Sequence, residues 1–195
     1  MRANCGSKRL AMTEGHFTFP GKNRGSALMT WGAGVAYARW HNVIMRNSDV
    51  LDIATMADFC GNIWQSNALM IPTPIHAGQC YLMPVAEVMA LFGRHQGKNA
   101  VDVVSDAAVD VVASRTGNKI FLHLANTDMN AAQQLKLDLG GAKVASIEME
   151  AINAHPSDEI TPINLDVFKS ETTTVEGDTI VLQPSAVAAV EITLA

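Results

Sequence analysis

Lys8-Arg9-Leu10-Ala11-Met12-Thr13-Glu14-Gly15-His16-Phe17 is the stretch on which the reading of the fold turns. A short apolar run, Leu10-Ala11-Met12, stops at Thr-Glu-Gly-His. A polar and aromatic loop then leads to a long helical pattern opening near Ser26. Strand, loop and helix, with a carboxylate where the strand ends, form the unit of a β/α barrel, whose chemistry sits at the carboxyl ends of its strands. Glu14 is therefore the first candidate catalytic residue. On spacing alone it also reads as an ordinary surface carboxylate at a strand end.

Outward from this stretch, Ser26 is a candidate N-cap for a helix to about Arg46, with Leu28, Trp31, Val35 and Ala38 at helical spacing. Gly32, Ala33, Gly34, Ala36 and Ala38 keep that helix slim enough to lie close to a sheet. Asn47-Ser48 ends it, and Ser48 is positioned to cap a second helix through Phe59, stopped by Gly61-Asn62. Asn67-Ala68-Leu69-Met70-Ile71 is continuously apolar, which predicts a strand buried on both faces, as in a parallel sheet. Pro84 suits the first turn of a further helix, whose apolar face is Val85, Val88, Met89 and Phe92. The first half thus reads strand, helix, helix, strand, helix, about a quarter of a barrel.

The character of the chain changes near residue 100. Residues 1–98 hold all three Trp, both Tyr and eight of the ten Met, whereas residues 99–195 are rich in alternating Val, Ile, Leu and Thr. Two regions follow from this, 1–98 and 99–195, joined near Gly97-Lys98-Asn99. In the second, Val109-Asp110-Val111-Val112-Ala113 and Lys119-Ile120-Phe121-Leu122-His123-Leu124 flank Thr116-Gly117-Asn118, a hairpin signal. Leu135, Leu137 and Leu139 alternate with charged residues, as do Ile147 and Met149. Thr179-Ile180-Val181-Leu182 and the Val190, Ile192, Leu194 set complete the pattern. Turn signals at this spacing predict an antiparallel β-sandwich.

The composition narrows the partners. With 195 residues and 48% hydrophobic content a sizeable core is available, and the net charge of −5 without a Lys/Arg block argues against nucleic acid. No apolar run reaches the roughly 18–20 residues of a membrane helix. Cys5, Cys60 and Cys80 form an odd set without metal-type spacing, which fits a reducing, cytoplasmic compartment and leaves export of a longer parent open.

Several stretches together resemble the end of a clan-A retaining glycoside hydrolase, most closely the family 51 α-L-arabinofuranosidases. They are residues 10–17 with the strand-end Glu14, Trp40-His41-Asn42-Val43-Ile44-Met45-Arg46-Asn47-Ser48-Asp49, Ile53-Ala54-Thr55-Met56-Ala57-Asp58-Phe59, Ala68-Leu69-Met70-Ile71, Leu91-Phe92-Gly93-Arg94-His95-Gln96-Gly97 and Leu182-Gln183-Pro184-Ser185-Ala186-Val187. The order of these stretches carries the resemblance more than any one motif.

The resemblance implies the C-terminal part of a TIM (β/α)8 barrel, with residues 10–14 as strand 7 and 68–71 as strand 8, followed by an antiparallel β-sandwich. It implies Glu14 as nucleophile in hydrolysis of terminal arabinofuranosyl linkages of oligo- or polysaccharides by double displacement. It requires no cofactor, and it points to a homo-oligomer. Retaining chemistry needs a second carboxyl group about 5–5.5 Å from the first. In such enzymes that Glu follows an Asn after strand 4, and this sequence has no Asn-Glu pair. The chain is therefore expected to be a fragment of a longer parent, inactive alone. Gly15-His16-Phe17 stands where the family has a nearby Trp, and Asp58 where it has Gln, which leaves the sugar open.

Around Glu14, His16 either orients the carboxylate or a sugar hydroxyl, or simply lines the loop. Phe17, Phe19 and Trp64 are candidates to stack on a sugar face, or core residues. Asn62, Gln65 and Asn67 precede the apolar 68–71 run; Asn62 is a candidate substrate contact, with turn formation as the plainer reading. His41, Asp49, Asp52 and Asp58 match no metal-ligand spacing. Gly32-x-Gly34 lies inside a helix and lacks the context of a dinucleotide loop. His95 is expected at a helix C-terminus and His123 as a half-exposed sheet residue. The rival reading is a non-catalytic module, in which the sandwich from about residue 100 binds carbohydrate or a partner.

Overall fold

The computed structural model describes residues 6–15, 27–62, 68–74 and 78–195. Strand β1, Leu10–Met12, lies where the apolar run predicts it. Helix α1, Trp31–Arg46, follows from an extended Thr30 at its N-cap. No side chain caps it; instead the amides of Trp31 and Gly32 donate to the carbonyls of Asp158 (2.9 Å) and Pro156 (2.9 Å). A loop far along the chain thus satisfies donors that an isolated helix leaves unpaired. Ser26, expected as the cap, lies outside the described residues.

Residues 48–59 do not form the expected second helix. A turn at 47–50 leads into β2, Leu51–Ala54, which runs parallel to β1 with Ala11 opposite Ile53 and Met12 opposite Ala54. Leu10 N–H donates to Val50 O (2.7 Å) and Thr55 N–H to Met12 O (2.9 Å). Helical spacing is overridden here because β1 offers a partner ladder, and the Asp49-to-Ile53 side chains tolerate either state.

The apolar run near 68–71 is correctly a strand, β4 (Leu69–Met70), but it is not a neighbour of β1. It pairs parallel with β3 (Cys60–Gly61) and antiparallel with β5 (Tyr81–Leu82) in a separate three-stranded sheet. The described residues therefore build no β/α barrel: their parallel contacts are two separate pairs, β1 with β2 and β3 with β4.

Helix α2, Pro84–Arg94, matches expectation, with Pro84 in the first turn and Val85, Val88, Leu91 and Phe92 buried. After α2, Asn99 opens an edge strand, β6 (Asn99–Val101). The hairpin β7 (Val109–Thr116) and β8 (Lys119–Asn126) turns through Gly117, at φ +60°, and Asn118, with Thr116 opposite Lys119. A left-handed first turn position suits glycine in a two-residue hairpin loop. There follow β9 (Gln133–Lys136), β10 (Val144–Ile152), β11 (Glu171–Thr174), β12 (Thr179–Leu182) and β13 (Val187–Leu194). Six of them form one antiparallel sheet in the order β11-β10-β13-β8-β7-β6, and β12 pairs with β9 as a ribbon.

Alternation along the central strands divides the core in two. Ala125, Val187, Ala189 and Ile152 face α1 and α2, joining Trp31, Ala38, Val88 and Phe92. Leu122, Leu124, Ile147, Ala188, Val190 and Ile192 face the other way and meet Ile180 and Leu182 of the ribbon strand β12. At about 1.5–3 kcal/mol for each large apolar side chain fully buried, each face is a substantial core of its own. Trp31, fully buried, anchors the first: its Nε1 donates to Ser185 O at 2.8 Å, and its ring lies 5.2 Å from Phe168.

Candidate functional site

The two parallel strands β1 and β2 end side by side, and the backbone just beyond them carries Glu14. Thr55 Oγ1 donates to Thr13 O, and Ala57 N–H donates to Gly15 O at 3.0 Å. The indole of Trp40, on α1, covers Gly15 so closely that a Cβ there would lie 2.7 Å from Cζ2. Residues 13–15 are thus held on one side by the end of β2 and on another by α1, and Glu14 itself is exposed. At the opposite end of the pair, Arg9 bonds Asp52, Asp49 O (2.6 Å) and Ser48 O (2.9 Å), which fixes the start of β1 to the turn before β2.

Of the other candidates from sequence, Asn62 follows β3 in the separate three-stranded sheet, exposed, its carbonyl accepting from Thr73 Oγ1 at 3.2 Å. Nothing places it beside Glu14. His16, Phe17, Phe19, Trp64, Gln65 and Asn67 lie outside the described residues. Cys60 and Cys80 are exposed free thiols. Among the described residues no three or more His, Cys, Asp or Glu side chains converge as a metal site, and no helix is long and apolar enough to cross a membrane.

α1 is tied to the large sheet by polar contacts as well as packing. Arg46 makes a forked pair with Asp110 of β7, both N–H···O distances 3.0 Å, and Asn42, fully buried, donates to Asp110 Oδ1 at 2.8 Å. One helix therefore carries Trp40 over the Glu14 segment and Asn42 and Arg46 onto the sheet.

A cluster of imidazoles fills the space between α1, α2 and β8. His123 is not the half-exposed residue expected: it is 1% exposed, because odd-numbered positions of β8 face the helices. Phe92 stacks flat on it, with centroids 4.1 Å apart and planes 2° apart, and His41 lies 5.4 Å away. His123 Nε2 donates to His95 O at 2.8 Å. Burial lowers His41 to about 4, helped by the neighbouring His123. Burial also lowers His123 to about 4, against the raising effect of its bond to the His95 carbonyl. His95, at the end of α2 as predicted, bonds through Nε2 to Glu150 Oε2 at 2.7 Å. Burial pushes the Glu150 carboxyl up, but bonds from Ser170, His95 and Arg94 outweigh it and hold it at about 2. In the sequence His41, His95 and His123 lie far apart, and no spacing joins them. The unbroken apolar run around His123, Phe121-Leu122-His123-Leu124-Ala125, is the signal of a strand buried on both faces, which buries the imidazole too.

Open cavities lie elsewhere on the described residues. A cleft of about 960 Å³ is lined by residues of both the large sheet, among them Leu122, Leu124 and Ile147, and the β9–β12 ribbon. Another of about 580 Å³ lies at the start of α1, between Thr30, Arg39, Met129 and Glu159. Glu14 lines neither.

No curated protein matches the sequence. Solved structures of family 51 α-L-arabinofuranosidases share the fold. The Thermotoga petrophila enzyme has a TM-score of 0.80 at 15% identity, over 94% of this chain and 43% of that one. The Thermotoga maritima enzyme, determined as an arabinose complex, has a TM-score of 0.76 at 15% identity, over 95% and 43%. The Bifidobacterium longum enzyme has a TM-score of 0.73 at 15% identity, over 98% and 43%. The chain thus spans less than half the length of these relatives. The α-L-arabinofuranosidase C-terminal domain model matches residues 20–185, and the chain belongs to that family.

Proposed function

We propose that this chain is the C-terminal portion of a retaining glycosidase that hydrolyses terminal arabinofuranosyl linkages of oligo- or polysaccharides. The observation that carries the reading is the position of Glu14, at the carboxyl end of a parallel strand pair in a chain of the arabinofuranosidase C-terminal family. Catalytic carboxylates sit at such strand ends in β/α enzymes. In this reading residues 1–98 derive from the catalytic domain and residues 99–195 form its C-terminal β-sandwich. Glu14 attacks the anomeric carbon to form a glycosyl-enzyme, which water then hydrolyses. The acid that protonates the leaving oxygen, and later deprotonates the water, comes from outside this chain. His16, Phe17, Trp64 and Asn62 are the proposed substrate contacts.

The test is turnover of a nitrophenyl arabinofuranoside by the isolated chain. The proposal expects none above buffer. Turnover abolished by Glu14→Gln would keep the nucleophile and overturn the incompleteness; turnover that survives Glu14→Gln would overturn the nucleophile.

A further inference from the structure

We propose that His41 and His123 form an acid-operated latch: their protonation undocks α1 and α2 from β8 while the six-stranded sheet stays folded.

The geometry is that of a buried base pair of imidazoles without counter-charge. Because His123 Nε2 donates to His95 O, its Nδ1 is a bare lone pair, and that atom is buried with no hydrogen-bond partner. His41 Nδ1 and His95 Nδ1 are likewise buried and unpartnered. The rings of His41 and His123 are 5.4 Å apart, both against Phe92, so a proton on one opposes a proton on the other.

The charged and titratable groups on the surrounding elements are engaged elsewhere. On β7, Asp110 holds Arg46 and Asn42 of α1. On β10, Glu150 holds Arg94 and His95 of α2, and Ser170; on the same strand Glu148 sits opposite Glu191 of β13, which pairs with Lys119 of β8. Within α2, burial pushes the Glu87 carboxyl up against the lowering pull of Arg94, which favours its neutral form. From α1, the Tyr37 ring lies 6.0 Å from that of His41. Among the described residues no carboxylate bonds to His41 or His123, and an unpaired buried charge is strongly disfavoured.

The sheet has reason to survive the release. Its other face packs on the β9–β12 ribbon through Leu122, Leu124, Ile147 and Ile192, none of which belongs to the imidazole layer. The helices leave as a unit, and α1 takes with it the Trp40 contact on Gly15. The latch thus links acidity to the backbone around Glu14, whatever chemistry that residue performs.

The test is amide hydrogen exchange of the full chain at pH 7 and pH 5, corrected for intrinsic rates. An imidazole held at about 4 when docked and free to titrate near 6.5 when released favours release about 30-fold at pH 5. The expectation is a loss of protection of at least that size in Trp31–Arg46 and Pro84–Arg94, with β10, β13 and β8 unchanged. The double variant His41→Phe/His123→Gln, which keeps a donor toward His95 O, should lose the response. Should that variant not fold, the imidazole titration of the unmodified chain decides: both rings should titrate together with helix release. Rings that protonate while the helices stay protected, or helices and sheet that lose protection together, would overturn the latch.

Discussion

Trp40 closes over Gly15. The ring carbon Cζ2 occupies the space a side chain at residue 15 would need, 2.7 Å from an ideal Cβ, with Thr55 O a further 3.3 Å contact. This contact joins the longest helix of the described residues to the backbone beside Glu14.

Gly15→Ala should therefore destabilise the chain by about 1–3 kcal/mol, the usual cost of overpacking. Trp40→Leu in the same chain should recover part of that loss. Urea unfolding of the two single variants and the double variant reads the coupling; additive effects would mean the contact is not formed.

The two aspartate–arginine pairs should behave differently. Asp52 and Arg9 are about half exposed, so Asp52→Ala is expected to cost less than about 1 kcal/mol. Asp110 is 16% exposed and also receives the fully buried Asn42 amide, so Asp110→Ala leaves a buried donor short of a partner and should cost about 1–3 kcal/mol. Unfolding midpoints of the two variants under one condition make the comparison.

Acid should destabilise the fold in two windows. The folded values of His41 and His123 are lowered from 6.5 to about 4, so the unfolded chain binds protons first. Their contribution is fully present above pH 6.5 and is lost as pH falls toward 4. Glu150 is lowered from 4.5 to about 2, so its contribution is present above pH 4.5 and is lost as pH falls toward 2. Unfolding free energies measured across pH should show both slopes, and Glu150→Gln should flatten only the lower one.

Trp31→Ala removes a fully buried indole, its bond to Ser185 O and its contact with Phe168. A loss of about 3–5 kcal/mol is expected. Trp31→Phe should fall well short of that, and thermal unfolding separates the two.

The legible parts of this fold were those in which local pattern and tertiary setting agree. Leu10–Met12, Pro84–Arg94 and the hairpin through Gly117 carry their own strand, helix and turn signals. Residues 48–59 mislead because Ser48 and the acidic turn imitate a helix start, while the partner that makes Leu51–Ala54 a strand is β1, far back in the chain at Leu10–Met12. The expected adjacency of residues 10–14 and 68–71 fails for the same reason, since the strand at 51–54 takes the place beside β1 and 68–71 pairs elsewhere. Glu14 was legible as a strand-end carboxylate. Its supports were not: Trp40 reaches Gly15, and Asp110 reaches Asn42, across separations that no periodicity encodes. His123 is expected half-exposed and is buried instead, because β8 is covered on both faces.

An arabinose titration followed by backbone amide shifts tests the central assignment most directly. The account predicts shifts centred on Thr13, Glu14 and Gly15 and on the adjoining Thr55 to Ala57 segment. Shifts confined to residues after 100 would contradict it and identify the β-sheet region as the sugar-binding part.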